Sequence, residues 1–166
     1  MMKNRLSKTL STLLLTLSLA SCGFQLRGEQ TLPFETFAIS ASSYQIVSNI
    51  RGLVQRNIHQ TKLIESTAQA DGVLNILAEE QEKVITALSA AGRVREYELR
   101  LRVRFSLTDK NSNVLIPPTD IKLFRVLPYD ESQVLSKGEE EVLLFKDMEN
   151  DIATQILRRV AAASPK

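Results

Sequence analysis

Tryptophan is absent from the 166-residue sequence, histidine and cysteine occur once each, and aromatic residues make up only 5% of it. A composition this poor in rings and imidazoles argues against a haem pocket, an aromatic sugar-binding cleft or a base-stacking platform. The hydrophobic content of 43% still allows a chain of this length to bury one modest core. We therefore expect a single globular domain with no metal or cofactor site.

Motifs that would indicate catalysis are also missing. The sequence has no glycine-rich phosphate loop, no HExxH, no CxxC and no GxSxG. His59 falls in a helical pattern without a second candidate ligand, so it is predicted to be a surface or boundary residue. Runs of glutamate are typical of solvated faces and helix starts rather than of acid/base pairs, and we expect no enzymatic activity. These runs are Glu79, Glu80 and Glu82, and Glu139, Glu140 and Glu141.

The first 21 residues differ from the rest of the chain. Lys3, Arg5 and Lys8 are followed by an apolar run over residues 10–20 that ends in small side chains, which is the layout of a secretory signal. The run is too short for a stable membrane-spanning helix. Removing residues 1–21 changes 21 basic and 19 acidic residues to 18 and 19, a net charge of −1. A nucleic-acid partner is therefore not expected.

The single cysteine, Cys22, directly follows this segment. Structural cysteines of exported proteins come in pairs, so a lone one needs another explanation. The sequence Leu19-Ala20-Ser21-Cys22 looks like the lipobox of bacterial lipoproteins, which predicts an S-diacylglycerol and an N-palmitoyl group on Cys22. The alternative is an unmodified thiol beyond an ordinary cleavage site.

Four segments of the remaining chain have the pattern of β-strands. The clearest alternates apolar and mostly charged residues from Tyr97 to Leu107, as a half-buried strand does. Pro117 and Pro118 predict a break before the last strand. The predicted strands cover residues 34–40, 73–86, 97–107 and 121–127.

Two segments have the three- and four-residue apolar spacing of amphipathic helices. Ser42 with Gln45, and Ser136 with Glu139, each fit a capping box at the start of such a helix. The first helix is predicted to extend to Gln60, and the second is predicted to occupy the carboxy-terminal segment of the chain. This order of elements predicts an α+β two-layer sandwich, in which two helices pack on one face of a four-stranded sheet.

Arg100, Arg102 and Arg104 occupy alternate positions of the clearest strand. Alternate residues of a strand share one face and stand about 6.6 Å apart, so the three guanidinium groups are predicted to form a row. Guanidinium groups bind phosphates well. Two interpretations are open: the row is the solvated back of the sheet, paired with carboxylates of the 79–82 segment, or it is a surface for an anionic lipid head group or an acidic partner.

Four segments together resemble a known family. The lipobox continues as CGFQLRG, and REYELRLRVRFSL, FRVLPYDESQVLSKGEEE and DMENDIATQILRRV follow in order and spacing along the rest of the chain. This combination is similar to LptE, the lipopolysaccharide-assembly lipoprotein family of Gram-negative outer membranes. The resemblance implies that residues 22–166 form one LptE-like domain with the strand and helix order read above.

The resemblance also implies a non-enzymatic function. LptE proteins sit as a plug inside the LptD outer-membrane β-barrel, assist its assembly and bind lipopolysaccharide on its way to the cell surface. By resemblance to enterobacterial lipoproteins, Gly23 in place of aspartate implies delivery to the outer membrane, where the lipid on Cys22 would hold the chain at the inner leaflet on the periplasmic side.

Basic side chains would meet the lipopolysaccharide phosphates in such a protein. Lys137 stands where the family pattern carries lysine. The loop that supplies the second family contact reads SAAG here, and its nearest cations are Arg93 and Arg95. With the row at 100, 102 and 104, these residues form the predicted lipopolysaccharide-binding set. A lipid-anchored scaffold or inhibitor of a different envelope partner is the alternative function, and a small periplasmic hydrolase would require a cluster around His59.

Overall fold

The computed structural model describes residues 32–41, 48–58 and 61–163, and the strands among them form one mixed sheet. Strand β1 runs parallel to β2 and to β3, and the remaining neighbours are antiparallel. The spatial order is β2-β1-β3-β4-β5. In chain order the strands are β1 (Thr36–Ala41), β2 (Lys62–Leu63), β3 (Gly72–Leu88), β4 (Val94–Asp109) and β5 (Val114–Pro128).

Two helices complete the predicted α+β class, α1 (Ser48–Arg56) and α2 (Val134–Ala162). Helix α1 packs on α2, and α2 packs on β4 and β5. Their buried side chains, including Ile50 and Ile152, join apolar residues of the sheet such as Leu101 in one core cluster. The face of the sheet that contributes to this cluster is called the inner face below, and the opposite one the outer face.

The described sheet has five strands rather than the four predicted. The additional strand, β2, is only two residues long. Lys62 and Leu63 are both exposed, so no alternation marks them in the sequence. Backbone hydrogen bonds nevertheless fix the segment beside β1: the Lys62 N–H donates to the Glu35 carbonyl, and the Ile64 N–H donates to the Phe37 carbonyl. A strand formed only by backbone pairing has no apolar periodicity to reveal it.

Strand β3 changes the face of its side chains at a bulge. Ile76 pairs with Phe105 and Ala78 with Arg104, so Leu77 is an extra residue in the ladder. Even-numbered residues point to the inner face before the bulge, and odd-numbered residues do so after it as far as Ile85, where the register shifts again. Glu79 is therefore buried, with 3% of its surface exposed, where strict alternation would have turned it outward.

Strand β5 continues through Pro117 and Pro118, so the predicted break is wrong. The register shifts so that these two prolines stand opposite the single residue Ser106. Proline cannot donate to a ladder, but β5 pairs only with β4 within the described sheet, and proline is tolerated at edges and bulges. The strand therefore begins at Val114 instead of Ile121.

The helix boundaries also differ from the prediction. Helix α2 begins at Val134, and Ser136 donates its hydroxyl to the Gln133 carbonyl instead of capping the helix, so the second capping box is wrong. Helix α1 ends at Arg56 rather than at Gln60. Just after this end, the Asn57 side chain donates to the Leu53 carbonyl at 2.7 Å.

Several predictions concern residues outside the described part of the chain. The first capping box, His59 and Cys22 belong to this group, as does the predicted signal at residues 1–21. Within the described ranges, no helix combines the length and apolar character needed to span a membrane.

Candidate ligand-binding surface

The arginine row lies on the outer face of β4, and carboxylates neutralise it. Arg102 reaches Glu80 at 2.9 Å, and Arg104 holds both oxygens of Asp120 at 2.9 and 3.0 Å. Arg100 bonds Glu98 at 2.6 Å, with Glu82 further away at 3.9 Å. The structure thus pairs the row with the 80 and 82 carboxylates, whereas Glu79 of the same segment points to the inner face.

Asp120 accepts hydrogen bonds from two arginines of the row, Arg102 and Arg104. The Arg104 hydrogen bond is the main cause that lowers the pKa of Asp120 to about 2, and Arg102 contributes in the same direction. The Arg104 pKa is raised in return by the same carboxylate. An anionic ligand would have to compete with these internal partners, so the row offers few free donors in the described structure.

The other three predicted cations come together at one end of the sheet. Arg93 follows a tight turn between β3 and β4, in which Gly92 adopts a φ of 76° that favours glycine. The Ser89 N–H donates to the Arg93 carbonyl at 2.7 Å, and the Arg93 N–H donates to the Ser89 hydroxyl at 3.1 Å. This turn holds Arg93 and the nearby Arg95 at the end of the β3–β4 hairpin.

The segment between β5 and α2 brings Lys137 to the same end. The Tyr129 N–H donates to the Arg95 carbonyl at 2.9 Å, which ties the start of this segment to β4. Hydrogen bonds from Ser132 chiefly lower the pKa of Asp130, and the charges of Arg95 and Lys137 lower it further. Asp130 therefore lies close enough to both cations to sense their charge. We call Arg93, Arg95 and Lys137 the cationic end.

The three cations differ in how strongly other side chains hold them. Lys137 is largely covered, with 17% of its side chain exposed, and donates to Glu140 at 2.7 Å. Arg93 has a distant ion pair with Glu131 at 3.9 Å and remains 71% exposed. Arg95 is exposed and forms no side-chain hydrogen bond or ion pair with the residues that the structure describes. Arg93 and Arg95 thus present donors that an anion can reach, whereas Lys137 is held by Glu140.

Sequence reasoning missed a polar group inside the domain. Glu79 and Glu149 are both buried, on β3 and α2, and the Gln81 amide donates to Glu149 at 3.1 Å. Burial is the main cause that raises the pKa of Glu79 to about 7, and the Glu149 charge adds to it. The bulge at Leu77 turns Glu79 and Gln81 inward, and single-sequence alternation does not show a bulge.

A cleft of about 460 Å³ opens beside this polar group, between α1 and α2. Leu53 and Phe145 provide apolar walls, Arg56 and Lys146 provide charge, and Gln81 and Glu149 also contribute to its lining. Among the described residues, no group of three or more histidines, cysteines, aspartates and glutamates is arranged to hold a metal ion. Arg93 and Arg95 remain exposed at the end of the β3–β4 hairpin.

Comparisons with known proteins agree on one family. The family model LptE, described as lipopolysaccharide-assembly, matches residues 34–160. The chain is similar to the solution NMR structure of uncharacterized lipoprotein B from Nitrosomonas europaea, at 37% identity and a TM-score of 0.70, with 84% of this chain and 91% of that chain covered. No curated protein matches the chain.

Two crystal structures extend this likeness. Rare lipoprotein B from Shewanella oneidensis is 25% identical with a TM-score of 0.62, over 76% of this chain and 94% of that chain. A minor lipoprotein from Acinetobacter baumannii is 20% identical with a TM-score of 0.62, over 80% and 94%, and shows the shared fold alone. The match covers most of the chain in each case.

Proposed function

Since the chain belongs to the LptE family of lipopolysaccharide-assembly proteins, we propose that it is a lipid-anchored outer-membrane protein that binds lipopolysaccharide and serves the LptD β-barrel. It plugs the barrel lumen, assists barrel assembly and contacts lipopolysaccharide during transfer to the outer leaflet. The role needs no chemical step. Its partners are LptD, lipopolysaccharide and the inner leaflet of the outer membrane.

The convergence of the cationic end carries the lipopolysaccharide part of this proposal. Arg93, Arg95 and Lys137 come from two distant segments, and the Tyr129 to Arg95 hydrogen bond holds those segments together. Phosphate groups on lipid A and acidic inner-core sugars are anions that guanidinium and ammonium groups bind by charge-assisted hydrogen bonds. The paired row on the outer face is a weaker candidate, because its arginines already have carboxylate partners.

The outer face supports the plug part of the proposal. Its cations and carboxylates alternate and pair across β3, β4 and β5, so it is polar without a large charge of one sign. The interior of large outer-membrane barrels is polar. Apart from the exposed Phe124 and Val126 of β5, this face therefore presents mainly charged and polar side chains to such a lumen.

The lipid anchor is proposed from the lipobox that precedes Cys22. Two acyl chains on a thioether-linked glyceryl group and a third chain on the amine exceed the two lipid signals that stable anchoring requires. Metabolic labelling with radioactive palmitate should mark the wild-type chain, and Cys22→Ala should remain unlabelled. Label retained in Cys22→Ala would place the lipid elsewhere.

Two experiments test the binding functions. Affinity purification of the full-length protein from detergent-solubilised outer membranes should recover a large β-barrel partner in stoichiometric amount. If another envelope protein is recovered instead of a barrel, the scaffold interpretation replaces the plug.

In the second experiment, Arg93→Asp with Lys137→Asp should reduce capture of purified lipopolysaccharide. The control Lys122→Asp, which changes an exposed cation of the outer face, should not. Unchanged capture by the double variant would reject these contacts.

A further inference from the structure

The first turns of α2 carry apolar side chains that remain exposed. Leu135 is 89% exposed, and Val134 and Val142 are 54% and 66% exposed. Residues spaced by three or four along a helix share one side. Val134 and Val142 therefore belong to the same stripe that, further along α2, is buried through Ile152 and Ile156. The apolar stripe of the helix runs on beyond the end of the core.

The end of the β3–β4 hairpin adds apolar surface at the same end of the molecule. Ile85 is 51% exposed and pairs across the strands with Tyr97. The Tyr97 ring meets Tyr129 edge to face at 5.1 Å, and Tyr129 begins the segment that leads into α2. Leu88, at the end of β3, is 59% exposed. Exposed apolar residues therefore lie on both elements that bring the cationic end together.

Isolated apolar residues on a surface need no explanation, but a set that borders a group of cations is typical of a site for an amphiphile. Lys137 lies one turn after Val134 on α2, and Arg95 is tied to the segment before that helix. Cations provide for a charged head group, whereas each buried methylene of an acyl chain adds a favourable contribution that salt does not screen.

We infer that Val134, Leu135 and Val142 form an acyl-chain surface, which takes fatty-acyl chains of the same lipopolysaccharide molecule whose phosphates meet the cationic end. The inference rests on the proposed function and adds a second part to its ligand site. The charge of the cationic end and the apolarity of the acyl-chain surface together match one chemical class, a phosphorylated and multiply acylated glycolipid. A polar barrel wall would match the cations but not the exposed leucine.

Binding measurements with two probes separate the parts of this site. Intact lipopolysaccharide carries both phosphates and acyl chains, and chemically deacylated lipopolysaccharide keeps the phosphates alone. The immobilised full-length lipoprotein should bind the intact probe at least about tenfold more weakly when Leu135→Ser and Val142→Ser are combined. The same double variant should bind the deacylated probe as the wild type does.

Two control variants make the outcomes distinct. Phe124→Ser changes an exposed apolar residue of the outer face and should alter neither probe. Arg93→Asp with Lys137→Asp should weaken both probes. If that charge variant weakens both probes and the serine variant weakens neither, the acyl-chain surface is refuted while lipopolysaccharide binding stands. If neither variant has an effect, the cationic end is refuted as the lipopolysaccharide site as well.

Photo-crosslinking tests the occupant directly. A benzophenone side chain at position 135 of the full chain, expressed in cells, should yield an adduct that reacts with an antibody to lipopolysaccharide. The same probe at position 124 should give no such adduct. An adduct of position 135 with the barrel protein or with a second copy of the chain, without a lipopolysaccharide adduct, would overturn the inference.

Discussion

Replacement of Glu79 by glutamine tests the energetic effect of the buried polar group. Glu79 is 3% exposed, and its Oε2 atom has no hydrogen-bond partner in the part of the chain that the structure describes. Burial first, and the nearby Glu149 charge second, raise the pKa of Glu79 from an ordinary 4.5 to about 7. Glutamine keeps the shape of the side chain and carries no charge at any pH.

The sign of the pH dependence follows from proton binding. Between pH 4.5 and pH 7 the folded protein binds the Glu79 proton and the unfolded chain loses it, so the free energy of unfolding falls as the pH rises through this window. At about 1.4 kcal/mol per pH unit, the gap between 4.5 and about 7 corresponds to a loss of about 3 kcal/mol. This loss is complete above pH 7, and none of it occurs below pH 4.5.

Urea unfolding at several pH values measures the effect. Glu79→Gln should remove this contribution to the pH dependence and be more stable than the wild type at pH 8.5 by up to about 3 kcal/mol, while the two proteins converge near pH 4.5. Glu82→Gln, on the exposed outer face, is the matched control and should keep the wild-type slope. Equal slopes for wild type and Glu79→Gln would refute the assignment of a buried, protonated carboxyl group.

Further predictions concern two glycines and one ion pair. A Cβ at Gly72 would lie 2.8 Å from the buried Phe34 ring, so Gly72→Ala should destabilise the fold by about 1–3 kcal/mol in urea unfolding, and an unchanged midpoint would contradict this. Gly138→Ala meets nothing within 4 Å inside α2 and should instead stabilise by about 0.5–1 kcal/mol. Glu140→Gln removes the partner of Lys137 and should strengthen lipopolysaccharide capture; weaker capture would argue against Lys137 as a contact.

The sequence predicts the fold best where side-chain periodicity is produced by burial on one face. Residues 97–107 alternate because the inner face of β4 is buried from Leu99 onward and its outer face is mostly charged, and the structure places them in one strand. Amphipathic spacing likewise predicts both helices. The predicted class is therefore right, although the strand count is not.

Where backbone geometry decides the structure, the sequence is a poor guide. Proline suggests a strand end in general, but Pro117 and Pro118 occupy an edge bulge where their missing donors cost little. A capping box needs the serine at the helix boundary, and Ser136 lies inside α2. Neither the edge position nor the boundary is encoded in the local residue pattern.

The candidate site also has features that the sequence predicts and features that it does not. That Arg93 and Arg95 lie together follows from their spacing, but their proximity to Lys137 depends on the path of residues 129–133, which the sequence does not specify. The carboxylates opposite Arg102 and Arg104 are likewise a result of strand register. The identity of the cations is readable from the sequence, and their partners are not.

The extra residue in β3 makes this strand unequally tolerant of changes in length. Leu77 is already surplus to the ladder, so its deletion would let Ala78 follow Ile76 in ordinary alternation and leave every later side chain on its present face. Deletion of Gln81 would instead reverse the strand beyond it, turning Glu82 inward and Lys83 outward. The fold should therefore tolerate deletion of Leu77 but not deletion of Gln81.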